Sequence, residues 1–291
     1  MTTAQPLTVL VTGATGNQGG AAAAALHARG HRVRALTRRP DAPAAQALKT
    51  AGAELVAGSF SDRGTIERAL RGTDAVFAVG TPVEAGVERE ALQGMAMVDA
   101  AAASGSRHYV FSSVASADRA TGIPHFDSKF RVEEHLRQSG LPFTIIAPAY
   151  FMDNLLAPWN LDGLKNGVFA QALPGGRILQ QVAVADIGAF AAHVIDNRER
   201  FLGTRVDFAS DELTSQAMAD IASRASGKAI RFQQVPLDAV RAYDTDLAVM
   251  YDWLDRVGYS ADISAMRTMA PDVAWHRFED WAHEQNWSVI R

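Results

Sequence analysis

A chain of 291 residues, with 28 Lys+Arg against 32 Asp+Glu and a formal charge of −4, buries roughly 75% of the surface its unfolded form exposes and needs no crosslink to be stable. It has no cysteine, which excludes disulfides, thiolate nucleophiles and Cys-based zinc sites. The near-balance of charge argues against a broad nucleic-acid-binding face, and 48% hydrophobic residues exclude wholesale disorder.

The first six residues, Met1 to Pro6, hold no base and no apolar run of signal length, and the apolar stretch Ala21–Leu26 is too short to span a bilayer. No membrane partner is expected, and the expected location is the cytoplasm. Leu7–Val11 reads as a strand, followed by a glycine-rich turn and a helix from about Gln18 to Arg29 that Gly30 ends. Strands are expected at 32–36, 54–57, 74–79, 107–112 and 143–147. Helices are expected at 42–50, from Asp62 to Arg71, at 84–104 and at 124–139. Apolar strands alternating with helices predict a doubly wound parallel sheet, an α/β Rossmann architecture.

After Pro148 the pattern loosens. Residues 150–173 read as irregular, 182–197 as a strand-helix pair rejoining the sheet, and the rest as strands at 205–208 and 229–235 with helices to Trp287. The expected division is a dinucleotide-binding domain over 1–150 plus about 180–200. Residues 151–179 and 201–291 are expected to form a smaller, discontinuous α/β lobe.

The chemistry concentrates at the carboxyl ends of the strands. Thr12-Gly13-Ala14-Thr15-Gly16-Asn17-Gln18-Gly19 spaces its glycines Gly-x-x-Gly-x-x-Gly between a strand and a helix. Gly13 permits the tight turn, Gly16 the approach of a pyrophosphate and Gly19 close helix-strand packing. The first helical N–H groups face the anion, with Thr15, Asn17 and Gln18 as further donors. At the end of strand two, an NAD site usually places an acid to grip the ribose 2′-OH. Here the chain reads Thr37-Arg38-Arg39-Pro40, and Arg38 offers a fork for a 2′-phosphate. NADP(H) is therefore preferred, with NAD(H) as the alternative; a solvated turn is the bland reading of the two arginines. Ser59 and Phe60, Gly80 and Thr81, and Ser112 follow strands three, four and five, placing them along the same ligand.

Several segments together carry a family resemblance: Thr12–Gly20, Leu36–Pro40, Ala53–Ser59, His125–Lys129 with Val132–Glu134, Pro148–Leu155 and Val184–Gly188. The chain resembles the NmrA-like branch of the atypical short-chain dehydrogenases. The resemblance implies a Rossmann domain with a small C-terminal lobe, NADP(H) binding, and either reductase activity or redox sensing. Typical short-chain dehydrogenases carry Tyr-x-x-x-Lys; here that frame reads His125-Phe126-Asp127-Ser128-Lys129, so the phenol is missing. Lys129 is implied as the ribose contact and acid/base candidate, with His125, Ser112 and Tyr150 as further catalytic candidates. Tyr150, Phe151 and Asn154 are implied to border the nicotinamide, although an aromatic loop is also ordinary core filler.

Met152, Trp159 and Phe169 can line an apolar pocket for a flat substrate or fill a core. Trp275, Phe278, Trp281 and Trp287 read as core. No metal-ligand spacing is present. The expected partners are a dinucleotide and an apolar or aromatic small molecule, with a homodimer or a protein partner as options. The expected activity is NAD(P)H-dependent reduction of a quinone-like, aromatic or carbonyl compound. A non-catalytic NADP(H) sensor and a tailoring enzyme of an aromatic natural product remain as alternatives.

Overall fold

The computed structural model describes residues 5–80 and 86–291. Among these residues the strands and helices of the first half run β1 (Thr8–Val11), α1 (Asn17–Ala28), β2 (Arg32–Thr37), α2 (Pro43–Thr50), β3 (Glu54–Ala57), α3 (Arg63–Leu70), β4 (Ala75–Val79), α4 (Val87–Ser104), β5 (His108–Ser112), α5 (Pro124–Gln138) and β6 (Phe143–Pro148). They lie within three residues of the sequence expectation.

The chain then forms β7 (Tyr150–Phe151), a 3₁₀ turn (Met152–Leu156), α6 (Pro158–Lys165), β8 (Val168–Gln171), β9 (Ile178–Val182), α7 (Val184–Asp196), α8 (Arg198–Phe201) and β10 (Arg205–Phe208). The last elements are β11 (Asp211–Thr214), α9 (Ser215–Ser226), β12 (Arg231–Gln234), α10 (Leu237–Tyr243), α11 (Thr245–Arg256), α12 (Ile263–Met269) and α13 (Phe278–Glu284).

Seven parallel strands in the order β10-β6-β5-β4-β1-β2-β3 form the central sheet. Strand alternation divides its side chains between two cores. Val9, Val11, Phe77, Val110 and Ile146 face α1 and α7, while Leu10, Val76, Tyr109, Phe111 and Ile145 face α3, α4 and α5. Gly188 lets α7 press against α1, since a Cβ there would lie 2.3 Å from the Ala21 carbonyl carbon.

Three expectations change. The strand before α7 does not rejoin the main sheet: β9 pairs with β7 and, antiparallel, with β11, so only α7 packs back. The strand at 205–208, read as part of the smaller lobe, is the seventh strand, parallel to β6. Burial explains the choice. Val206 and Phe208 complete the α1/α7 core, and Arg205 Nε reaches the buried Glu133 of α5 at 2.9 Å.

Residues 150–173, read as irregular, supply β7, α6 and β8. A separate core forms where Met152, Phe169, Phe278, Trp281 and Trp287 meet α9 and α13. Trp275 instead packs on Phe190 and Phe208 of the main core. No helix among the described residues is long and apolar enough to cross a membrane.

Candidate active site

A groove of about 440 Å³ opens at the carboxyl ends of β1, β2 and β3. Gly13, Thr15 and Gly16 form one wall, Arg38 and Arg39 another, and Ser59, Phe60, Arg89 and Gln93 the rest. Helix α1 begins here with Gly16 at its N-cap, no capping side chain and no acid in its first turn. Its first N–H groups and dipole are left facing the groove, the arrangement that holds an anion. Gly13 sits at φ +60°, and a Cβ on Gly19 would lie 2.3 Å from the Gly13 carbonyl oxygen, so the turn closes only with glycine at both. A Cβ on Gly16 would meet only the Gly13 carbonyl oxygen, at 3.4 Å; the space it would enter is the cradle itself.

Three guanidiniums, Arg38, Arg39 and Arg89, line this groove, and no Asp or Glu does so among the described residues. That donor set would fit a phosphorylated dinucleotide: the turn has room and N–H donors for a pyrophosphate, and the arginines could pair with further negative charge. Arg89 and Gln93 lie outside the sequence expectation. They stand four residues apart on α4 and so on one helical face, and that spacing is the signal that strand-end reading passes over.

The predicted residues farther along the edge are arranged differently. Ser112, fully buried, donates its hydroxyl to Gln18 Oε1 at 2.6 Å, joining β5 to the first turn of α1. Lys129 Nζ lies 2.7 Å from Glu90 Oε1, and Ser128 donates to the other carboxylate oxygen at 3.0 Å. Both charges are buried beside Gly80, around a void of about 20 Å³ that Phe60 and Gln93 also border. Lys129 is thus paired under the end of β4, and its ammonium does not line the groove. Thr81 lies outside the described residues.

His125 lines neither the groove nor the void beside Lys129. Its backbone N–H donates to Asp246 Oδ2 at 3.1 Å and its Nδ1 meets Asp246 Oδ1, clamping the start of α5 to α11. Phe151 packs against the main core.

Tyr150 opens a second cavity, about 290 Å³, beyond the end of β6. Trp159, Phe169, Tyr243 and Tyr251 supply aromatic walls and Gln171 a polar floor. Of the expected pocket residues, Trp159 and Phe169 are here, whereas Met152 is buried in the adjoining core. Burial raises the Tyr150 phenol well above its ordinary value, and the neighbouring Tyr251 adds to this against the opposing influence of Gln171 and Asn154. The phenol therefore stays neutral, a hydrogen-bond donor across the working pH range.

The NmrA-like family model matches residues 5–283. The chain belongs to the NmrA-like family. This NmrA-like protein is 33% identical to a (4-alkanoyl-5-oxo-2,5-dihydrofuran-3-yl)methyl phosphate reductase of Streptomyces griseus, over 80% of this chain and 79% of that one. Its fold superposes on NmrA, a negative transcriptional regulator in complex with NADP, with TM-score 0.81 and 21% identity over 97% and 95% of the two chains. It also superposes on an NADPH-dependent quinone oxidoreductase of Escherichia coli in complex with NADPH, with TM-score 0.78 and 23% identity over 94% and 98%. The two structural likenesses, each under a quarter identical, are likenesses of fold.

Proposed function

We propose that this protein is an NADPH-dependent oxidoreductase that reduces a quinone-like or other aromatic carbonyl compound. The observation that carries the reading is the three-arginine, acid-free groove against the amino end of α1. The aromatic cleft that Tyr150 opens on the same sheet edge supplies room for an acceptor. A bound NADPH supplies a hydride.

The protein's residues do the rest. The Gly13–Gly19 turn holds the pyrophosphate, and Arg38, with Arg39 and Arg89 beside it, selects the 2′-phosphate. The Ser112–Gln18 pair fixes the floor between α1 and β5. Tyr150, kept neutral by burial, donates a hydrogen bond to the acceptor oxygen as charge develops on it. A quinone suits this arrangement because its reduced oxygens are stable phenolates and need a donor rather than a strong acid. Lys129, engaged by Glu90, holds the end of β4 in place.

NADPH oxidation followed with 2-methyl-1,4-naphthoquinone and an azo dye as acceptors tests the reading, and turnover that falls in Tyr150→Phe is the expected result. The engagement of Lys129 and the His125 clamp favour a second reading, an NADP(H) sensor acting on a protein partner or as a homodimer. Tight NADPH binding without turnover on any acceptor would select it.

A further inference from the structure

Behind the cleft beyond β6 lies a polar cluster drawn from four elements. Tyr150 comes from β7, Gln171 from the end of β8, Ser215 from the start of α9 and Tyr251 from α11. Gln171 is almost fully buried, and its backbone carbonyl accepts from the Val235 N–H at 3.0 Å. Its side-chain Oε1 accepts from Ser215 Oγ at 2.7 Å. With the amide oxygen engaged, Nε2 is the atom turned to the phenols, and an amide nitrogen only donates. Nε2 makes no hydrogen bond of ordinary geometry, yet it is set against the hydroxyls of Tyr150 and Tyr251 and lowers the pKa of each. That is the sign of a donor facing an oxygen that gains charge. Burial outweighs it and raises both phenols, so both are protonated at neutral pH.

The two hydroxyls also meet each other. Each carries a single proton, so one phenol of the pair offers its proton outward while the proton of the other lies between them. We infer that Tyr251 is a positioning residue that acts through Tyr150: as Tyr150 donates to a ligand oxygen, Tyr251 donates to the Tyr150 oxygen, and Gln171 Nε2 supports both from behind. A hydrogen-bond chain of this kind polarises along its length, which makes Tyr150 a stronger donor than an isolated buried phenol. The inference rests on the reductase reading of Tyr150 and adds the residues that set its strength. Ser215 fixes the amide: without its hydroxyl the amide can turn over, and its oxygen then competes for the phenol protons. No Asp, Glu, Lys, Arg or His lines the cleft among the described residues. The other titratable groups nearby are Tyr243 at the mouth and Tyr259, whose phenol is raised by burial and then by charge on Tyr251.

Two measurements test this, one of them without turnover. Replacing Tyr251 by 3,5-difluorotyrosine places there a phenol that ionises nearer neutrality, and fluorine NMR follows its titration in the dinucleotide-free protein. Adding Tyr150→Phe or Gln171→Leu should move that titration up by roughly one pH unit, the size of one neutral hydrogen bond. Ser215→Ala, which changes little volume, should move it the same way and guards against a misfolded Gln171 variant. A titration that stays put in all three overturns the inference.

The second measurement is steady-state turnover with NADPH and 2-methyl-1,4-naphthoquinone. Tyr251→Phe keeps the ring and should lower kcat about five- to tenfold, with KM and the NADPH dissociation constant within about twofold of wild type. Unchanged kcat in Tyr251→Phe, or a rise in KM that accounts for the whole loss, also overturns the inference. A wild type that binds NADPH but turns over no acceptor, with the coupled titration intact, upholds the phenol pair and counts against the reductase reading alone.

Discussion

Lys129 and Glu90 meet at 2.7 Å beneath the end of β4, both largely buried. Removing one partner from a buried ion pair strands the other charge and costs roughly 3–5 kcal/mol. Lys129→Met should lower the unfolding free energy by about that much. The double variant Lys129→Met, Glu90→Gln should recover part of the loss, since neither charge remains. Urea midpoints of the wild type and variants at constant m-value check this; a single variant as stable as wild type would show the pair to contribute nothing.

Gly16 and Gly19 should separate binding from folding. The space beside Gly16 is the cradle, whereas a Cβ on Gly19 collides with the Gly13 carbonyl. Gly16→Ala is expected to melt near the wild-type temperature and to bind NADPH at least tenfold more weakly. Gly19→Ala should lose stability as well. Thermal melts paired with NADPH titrations distinguish the two, and Gly16→Ala with undiminished affinity would remove the cradle from the account.

Arg38 should carry much of the coenzyme selection. Hydrogen bonds to charged groups contribute about 1.5–3 kcal/mol each. Arg38→Ala should therefore weaken NADPH by about ten- to a hundredfold while leaving NADH within a few-fold. Dissociation constants for both coenzymes give the answer. Equal losses for the two would place Arg38 away from the 2′-phosphate.

His276 donates its backbone N–H to Asp186 Oδ2 at 3.0 Å, and its ring meets Asp186 Oδ1 at 2.5 Å. The bond to Asp186 raises the imidazole from 6.5 to about 9. Because the folded value lies above the unfolded one, the stabilisation is complete below pH 6.5 and is lost as pH rises through 9. Stability of wild type should fall over that window, and His276→Asn should flatten the slope. An unchanged slope in the variant would sink the assignment.

His108 works in the opposite sense. Burial lowers it to about 4, and Nε2 lies 2.9 Å from Thr144 Oγ1, so it is folded in the neutral form. The unfolded chain takes up the proton more readily, and stability declines as pH falls from 6.5 toward 4. His108→Gln should reduce that acid sensitivity, measurable as a shallower decline of the urea midpoint between those values.

The parallel sheet was legible because its strands are short apolar runs and its turns carry Gly13, Gly30, Gly52 and Gly105. The walls built from Gly13–Gly16, Arg38–Arg39 and Ser59–Phe60 were legible for the same reason, since a strand end next to a turn is local information, whereas Arg89 and Gln93 of α4 were not. Contacts that join distant segments were not. His125 looks like a helix-start residue in any frame, and only the fold brings Asp246, 121 positions away, against it. Arg205-Val206-Asp207-Phe208 alternates like an edge strand of either sheet, and what assigns it to β6 is the buried Glu133 partner. Gln171 and Tyr251 lie on a strand and a helix of ordinary composition, and their relation to Tyr150 exists only once α11 has packed over β8.

The course of the chain has a consequence for how the molecule comes into being. Strand β10, which covers the outer edge of β6, and α7, which shields α1, are both synthesised after β7, α6, β8 and β9. A nascent polypeptide ending at Pro148 would leave a raw parallel edge and an uncovered alanine-rich helix exposed to other chains. A fragment trimmed at that point should therefore aggregate rather than bind nucleotide, and productive folding must wait until residue 208 has left the ribosome.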